Sequence, residues 1–130
     1  MGHLGFTPQS IKEIGGYKIQ GKTKEQEDKL IEAAKILEKT GVFSIVLEMI
    51  PAKLGKKISQ KLKIPTIACG AGSSCDGQVL VTYDMLGLTS GKVPSFVKKY
   101  ADLNSIISKA IRKYIQEINT CKFPGTKQSY

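Results

Sequence analysis

Glu48 follows directly on an apolar run, Phe43-Ser44-Ile45-Val46-Leu47, and Pro51 comes three residues later. A run of this length reads as a strand buried on both faces, as in a parallel α/β sheet. In such folds the chemistry gathers at the C-terminal ends of the strands. Glu48 therefore stands where a general acid or base would stand, and equally where a solvated strand-end acid would. Asp84 occupies the same kind of place after Val79–Tyr83. His3 is the only histidine. Imidazole can change charge near neutral pH, although a lone histidine is more often structural than catalytic.

Gly70-Ala71-Gly72, followed by Cys75-Asp76-Gly77-Gln78, is a glycine-rich loop of the kind that can cradle phosphate. It lacks the full dinucleotide fingerprint, and no clear helix follows at the required offset. A tight turn that lets backbone approach a pocket is the favoured reading. Cys69, Cys75 and Cys121 share no close C-x-x-C spacing, which argues against a disulfide framework or a zinc site. A reducing, cytoplasmic setting fits them.

Several elements must hold these residues. Met1–Pro8 and Gly15–Gly21 are glycine-punctuated loops, the first of them with the last residues of a strand as its alternative. Thr23-Lys24-Glu25-Gln26 is a capping-box pattern that opens a helix to about Lys39, with Leu30, Ala33, Ala34 and Leu37 on one face and Gly41 as its stop. Residues 43–47 form the central strand. Pro51 opens a second helix carrying Leu54, Ile58 and Leu62, with lysines on its other face. Pro65–Cys69 reads as the next strand, and the βαβ rhythm makes the sheet parallel. Val79–Tyr83 reads as a third strand, or as a helical turn because the connection from Cys69 is short for a parallel crossover. Pro94 opens a short helix through about Tyr100. Asp102 or Asn104 caps a longer one with Ile106, Ile107, Ala110, Ile111, Tyr114, Ile115 and Ile118 in a wide stripe. Tyr100 and Tyr114 read as core or interface residues. Phe123-Pro124-Gly125 ends the fold, and residues 126–130 read as a flexible tail.

The chain has 130 residues, long enough for one domain with a core, and ordinary apolar and charged content. Its net charge of +9 raises nucleic acid or an acidic membrane as partners. The charge is spread along the chain, and only Arg112 among 20 basic residues is an arginine. Phosphate forks and base readers favour arginine, so neither partner is expected. No apolar run approaches a membrane span, and the N-terminus has no signal-peptide pattern.

Longer motifs go further. Met1–Gln9, Gly15–Gly21, Ile45–Glu48 with Pro51, Ile64–Ile67, Gly70–Gly72, Cys75–Val81 and Asp84–Leu88 stand in an order that resembles the ketopantoate hydroxymethyltransferase family (3-methyl-2-oxobutanoate hydroxymethyltransferases). Phe96–Leu103 and Phe123–Gly125 resemble it as well. The resemblance covers essentially the whole chain. It implies the C-terminal half of a (β/α)8 TIM barrel with C-terminal helices, one partial-barrel domain over residues 1–130. It also implies transfer of a hydroxymethyl group from 5,10-methylenetetrahydrofolate to 3-methyl-2-oxobutanoate, giving 2-dehydropantoate in pantothenate biosynthesis.

By the same resemblance Glu48 is the general base at the carbon next to the keto group, and His3 makes a polar contact in the substrate pocket. Mg²⁺, holding the keto and carboxylate oxygens, would stabilise the enolate. Its ligands are expected in the N-terminal half and none in this chain; Asp76 and Asp84 match other family positions. The resemblance implies that the chain begins at the end of the fifth strand. It would then be a fragment, one half of a split enzyme, or a product that dimerises, because open strand edges and apolar faces call for a partner. The chain alone is expected to be inactive. A catalytically dead remnant serving as a binding or assembly module is the alternative.

Overall fold

A computed structural model describes residues 1–130. The chain divides into two compact units, Met1–Leu80 and Val81–Tyr130. The first contains, in order, β1 (Gly2–Gly5), a 3-10 turn at Pro8–Ser10, α1 (Ile11–Ile14), α2 (Lys24–Lys39), β2 (Ile45–Glu48), α3 (Ala52–Lys61), β3 (Thr66–Cys69) and β4 (Gly77–Gln78). The four strands form one sheet in chain order, β1-β2-β3-β4, and every pair is parallel. The α/β class read from the sequence is the class observed.

Both ends of α2 follow from its sequence. The Thr23 hydroxyl accepts from the Gln26 N–H, and the Gln26 side chain reaches back to the Thr23 N–H. Two donors left open by the first turn are thereby satisfied. At the other end Gly41 is left-handed, its N–H donates to the Glu38 carbonyl, and the Val42 N–H donates to the Leu37 carbonyl. That pair of bonds is the Schellman stop, which glycine adopts without a Cβ clash. Leu30, Ile31, Ala34 and Leu37 turn toward the sheet, with Ile31 taking the share expected of Ala33.

The core lies between the sheet and these helices. Ile45, Leu47 and Ala68 from the strands meet Ala34 of α2, Leu54 and Ile58 of α3, and Ile50 and Ala71 from the connections. Each large aliphatic chain buried this way contributes roughly 1.5–3 kcal/mol. The loop after β3 is built against α3: a methyl group on Gly55 would overlap the Ala71 carbonyl, and one on Gly72 would meet Ala52. Gly72 thus serves close packing of a turn on a helix, and this backbone faces α3 rather than an open pocket.

Three sequence expectations in this unit are corrected. Phe43 lies outside β2 and is 70% exposed. β2 is also not buried on both faces: Ile45 and Leu47 are fully buried, whereas Val46 and Glu48 are half-buried. Helices cover only one side of this sheet, so the period of two reappears. The strand expected at Val79–Tyr83 is instead β4, Gly77–Gln78, and the alternative of a helical turn holds from Thr82 to Met85. Val79 adds one hydrogen bond to the Ala68 carbonyl, after which the chain leaves the sheet and Val81 stands 58% exposed.

The second unit contains α4 (Thr82–Met85), α5 (Leu103–Asn119) and a 3-10 turn at Thr126–Gln128 within the segment read as a tail. Asp84 therefore lies in a helical turn, not at a strand end, and accepts a hydrogen bond from the Thr89 hydroxyl. No helix forms between Pro94 and Tyr100. A single turn closes with the Val97 N–H on the Pro94 carbonyl, and the Tyr100 N–H bonds Met85 instead. Asp102 caps α5 by accepting from the Ser105 N–H. Cys121 ends it in the left-handed conformation. The apolar stripe of α5 is largely exposed, with Ile106, Ile107, Ile111, Tyr114, Ile115 and Ile118 all open to solvent. Tyr114 packs edge-on against Phe123, and Tyr100 lies under the Lys98 ammonium, so neither tyrosine is a core residue.

Candidate active site

Strand register decides which side chains share a face. His3 pairs with Val46 and Gly5 with Glu48, while Val46 pairs with Ile67 and Glu48 with Cys69. Aligned residues point to the same side, and residues two apart along a strand do as well. His3, Val46, Glu48, Ile67 and Cys69 therefore line the face turned away from α2 and α3. His3 and Glu48 are diagonal neighbours on adjacent strands.

The two side chains meet. His3 Nε2 lies 2.9 Å from Glu48 Oε2, with the carboxylate 18% and the imidazole 33% exposed. With its proton on Nε2 the imidazole donates to the carboxylate, and Glu48 Oε1 is left to accept a proton from elsewhere. A partly desolvated carboxylate, oriented by an imidazole and still reachable, is equipped for proton abstraction.

The backbone around Glu48 is equally specific. The Phe6 N–H donates to the Glu48 carbonyl at 2.8 Å. A side chain on Gly5, whose φ is +95°, would overlap that carbonyl. Tyr17, from the Gly15–Gly21 loop, stacks on Phe6 with ring centroids 5.1 Å apart. The sequence reading missed Gly5 and Met49 as parts of this corner. Gly5 carried a signal, a glycine closing the strand; Met49, which follows Glu48 in a left-handed conformation and donates its N–H to the Cys69 carbonyl, carried none.

Asp76 belongs to the opposite end of the sheet. Its Oδ2 accepts from the Thr66 N–H at 2.7 Å and the Thr66 hydroxyl at 2.9 Å, at the start of β3. Thr66 is fully buried and also bonds the Ser59 hydroxyl. The Thr66 backbone bond, then its hydroxyl, hold the Asp76 carboxyl below its usual range. Burial pushes the neighbouring Cys75 thiol up, away from the reactive thiolate. Because the folded pKa of Asp76 is depressed, its contribution to stability is present above the ordinary carboxyl range, about pH 4, and is lost as pH falls through the folded value. Urea denaturation across pH 3–7 should then show a smaller acid-side loss for Asp76→Ala than for the parent chain, and lower stability at pH 7. Parallel curves would refute the coupling.

The chain has no cluster of side chains that would by itself enclose a Mg²⁺ ion. The ion needs near-octahedral oxygen ligands, and no three His, Cys, Asp or Glu side chains converge in this chain. No disulfide joins the three cysteines. No helix is long and apolar enough to cross a membrane.

The fold is that of an α/β protein whose parallel sheet carries an imidazole–carboxylate pair on one face. The chain belongs to the ketopantoate hydroxymethyltransferase family, whose model matches residues 1–126. It is 51% identical over all 130 residues to a 3-methyl-2-oxobutanoate hydroxymethyltransferase of Thermoanaerobacter sp. (strain X514), covering 47% of that protein. To those of Carboxydothermus hydrogenoformans and Clostridioides difficile it is 52% identical, with the same coverage. The chain spans about half the length of the curated relatives it matches.

Proposed function

We propose that this chain supplies the general base for hydroxymethyl transfer from 5,10-methylenetetrahydrofolate to 3-methyl-2-oxobutanoate, giving 2-dehydropantoate. The observation that carries the reading is the 2.9 Å contact between His3 and Glu48 on adjacent parallel strands of a family member. Glu48 Oε1 takes the proton from C3 of the oxo acid. The C3–H bond breaks, and its electron pair passes into the enolate. His3 fixes the carboxylate through Nε2 and makes the polar contact with substrate.

In this reading Mg²⁺ is held by ligands of the N-terminal half, since no three His, Cys, Asp or Glu side chains of this chain converge, and the folate is the co-substrate. The barrel reading has its own support. One face of the sheet packs on helices, while the face bearing Glu48 is half-buried, as the inward face of a barrel with strands still to be added would be. The working form is this chain with the N-terminal half of the enzyme, or a homo-oligomer, in the cytoplasm, and the chain by itself is inactive.

Deuterium exchange at C3 of 3-methyl-2-oxobutanoate with Mg²⁺, followed by NMR without folate, tests this. Exchange is expected when the N-terminal half is supplied and not from this chain alone. No exchange in either case would reject the proton-abstraction role. It would favour a second reading, a binding or assembly module, toward which the exposed isoleucine face of α5 points.

A further inference from the structure

Met49 is a non-glycine residue at φ +48°, immediately after Glu48. A side chain in this left-handed region is disfavoured. Such residues persist where the surroundings over-determine them, and they gather at functional sites. Here the determinants can be named. The peptide plane between Glu48 and Met49 is held at both ends: the Glu48 carbonyl accepts from the Phe6 N–H at the exit of β1, and the Met49 N–H donates to the Cys69 carbonyl at the end of β3, at 2.9 Å. The following plane is held by the Gly15–Gly21 loop, whose Gln20 N–H donates to the Met49 carbonyl at 3.0 Å. Gly5 has no Cβ to push the Glu48 carbonyl out of this arrangement.

Three segments distant in sequence thus fix the two planes that flank Met49. The first plane also sets ψ of Glu48, and with it the direction in which the Glu48 Cα–Cβ bond leaves the strand. We propose that Met49 is a positioning residue: its left-handed backbone, locked by β1, β3 and the Gly15–Gly21 loop, aims the Glu48 carboxylate at His3. This rests on the reading of Glu48 as the base.

Substitutions that separate backbone from side chain test it. Glycine and asparagine tolerate the left-handed region, while valine keeps an apolar side chain and resists that region. In this chain assembled with the N-terminal half, Met49→Gly and Met49→Asn should keep kcat for C3 proton exchange within about threefold of the parent, because the clamp survives. Met49→Val should lose about a hundredfold in kcat with KM held within about twofold, the scale of misplacing a reacting group. The reverse ranking would assign the role to the thioether and overturn the proposal. If Met49→Val does not fold, Met49→Thr, which resists the same region with a smaller side chain, takes its place in the ranking against glycine and asparagine.

Amide hydrogen exchange gives a readout independent of turnover. The Met49 and Phe6 N–H groups should be protected in the parent and in the glycine and asparagine variants. A Met49 amide that exchanges like an open loop would overturn the proposal whatever the kinetics. Glu48→Gln, run in parallel, separates the two ideas. If it keeps full exchange, the base assignment has failed. If it loses exchange while the Met49 series shows no ranking, only the positioning role has failed.

Discussion

Glu48→Gln is expected to lower C3 proton exchange by about two to four orders of magnitude in the assembled enzyme, the range a positioned general base contributes. The amide matches the carboxylate in shape, and its oxygen can still accept from His3 Nε2. Folding and the His3 contact should therefore survive, while the group can no longer take a proton. Thermal midpoint and far-UV dichroism should be unchanged, and the loss should fall on kcat. Exchange within about tenfold of the parent would mean that another group abstracts the proton, since tenfold is less than a general base is worth. Run against deuterated substrate, the same assay would also register whether proton removal limits the parent enzyme.

Ile58→Ala is expected to cost the first unit about 2–5 kcal/mol, the range for deleting a large aliphatic side chain from a packed core. Ile58 is 1% exposed, in the cluster where α3 meets the sheet. A unit of this length, Met1–Leu80, has roughly 4–12 kcal/mol in total by the usual per-residue stability. The substitution therefore removes a large fraction of the whole, and the urea midpoint should fall with little change in slope. A loss under about 1 kcal/mol would place α3 off the sheet, because even an Ile→Val deletion in a packed core costs about that much.

Much of this arrangement is legible in the chain. The Thr23–Gln26 capping box, the Gly41 stop and the four-residue spacing of Leu54 and Ile58 are local patterns, and the structure reproduces them. Glu48 was readable as a strand-end acid because apolar run and carboxylate are contiguous. His3 could be put in the same pocket only through the family resemblance; its contact with Glu48, 45 residues away, depends on register. Val79–Tyr83 has the composition of a strand, yet past the Val79 N–H bond to Ala68 it has no neighbouring strand, and pairing rather than propensity makes a strand. The Pro94 segment failed likewise. Proline suits a first turn, and one turn forms, but the Tyr100 N–H then bonds the Met85 carbonyl instead of continuing a helix. The α5 stripe was correctly read as amphipathic, while its exposure depends on what surrounds it.

The pairing of β1 with β2 has one more consequence. Side chains alternate faces with a period of two, so a shift of one residue between these strands would send Val46 and Glu48 to opposite sides from His3. A one-residue alignment error in this sheet is thus digital: it keeps no weakened form of the pair. A preparation carrying such a slip is then a mixture of molecules with the whole pair and molecules with none, and counting paired molecules would say more about it than averaging over them.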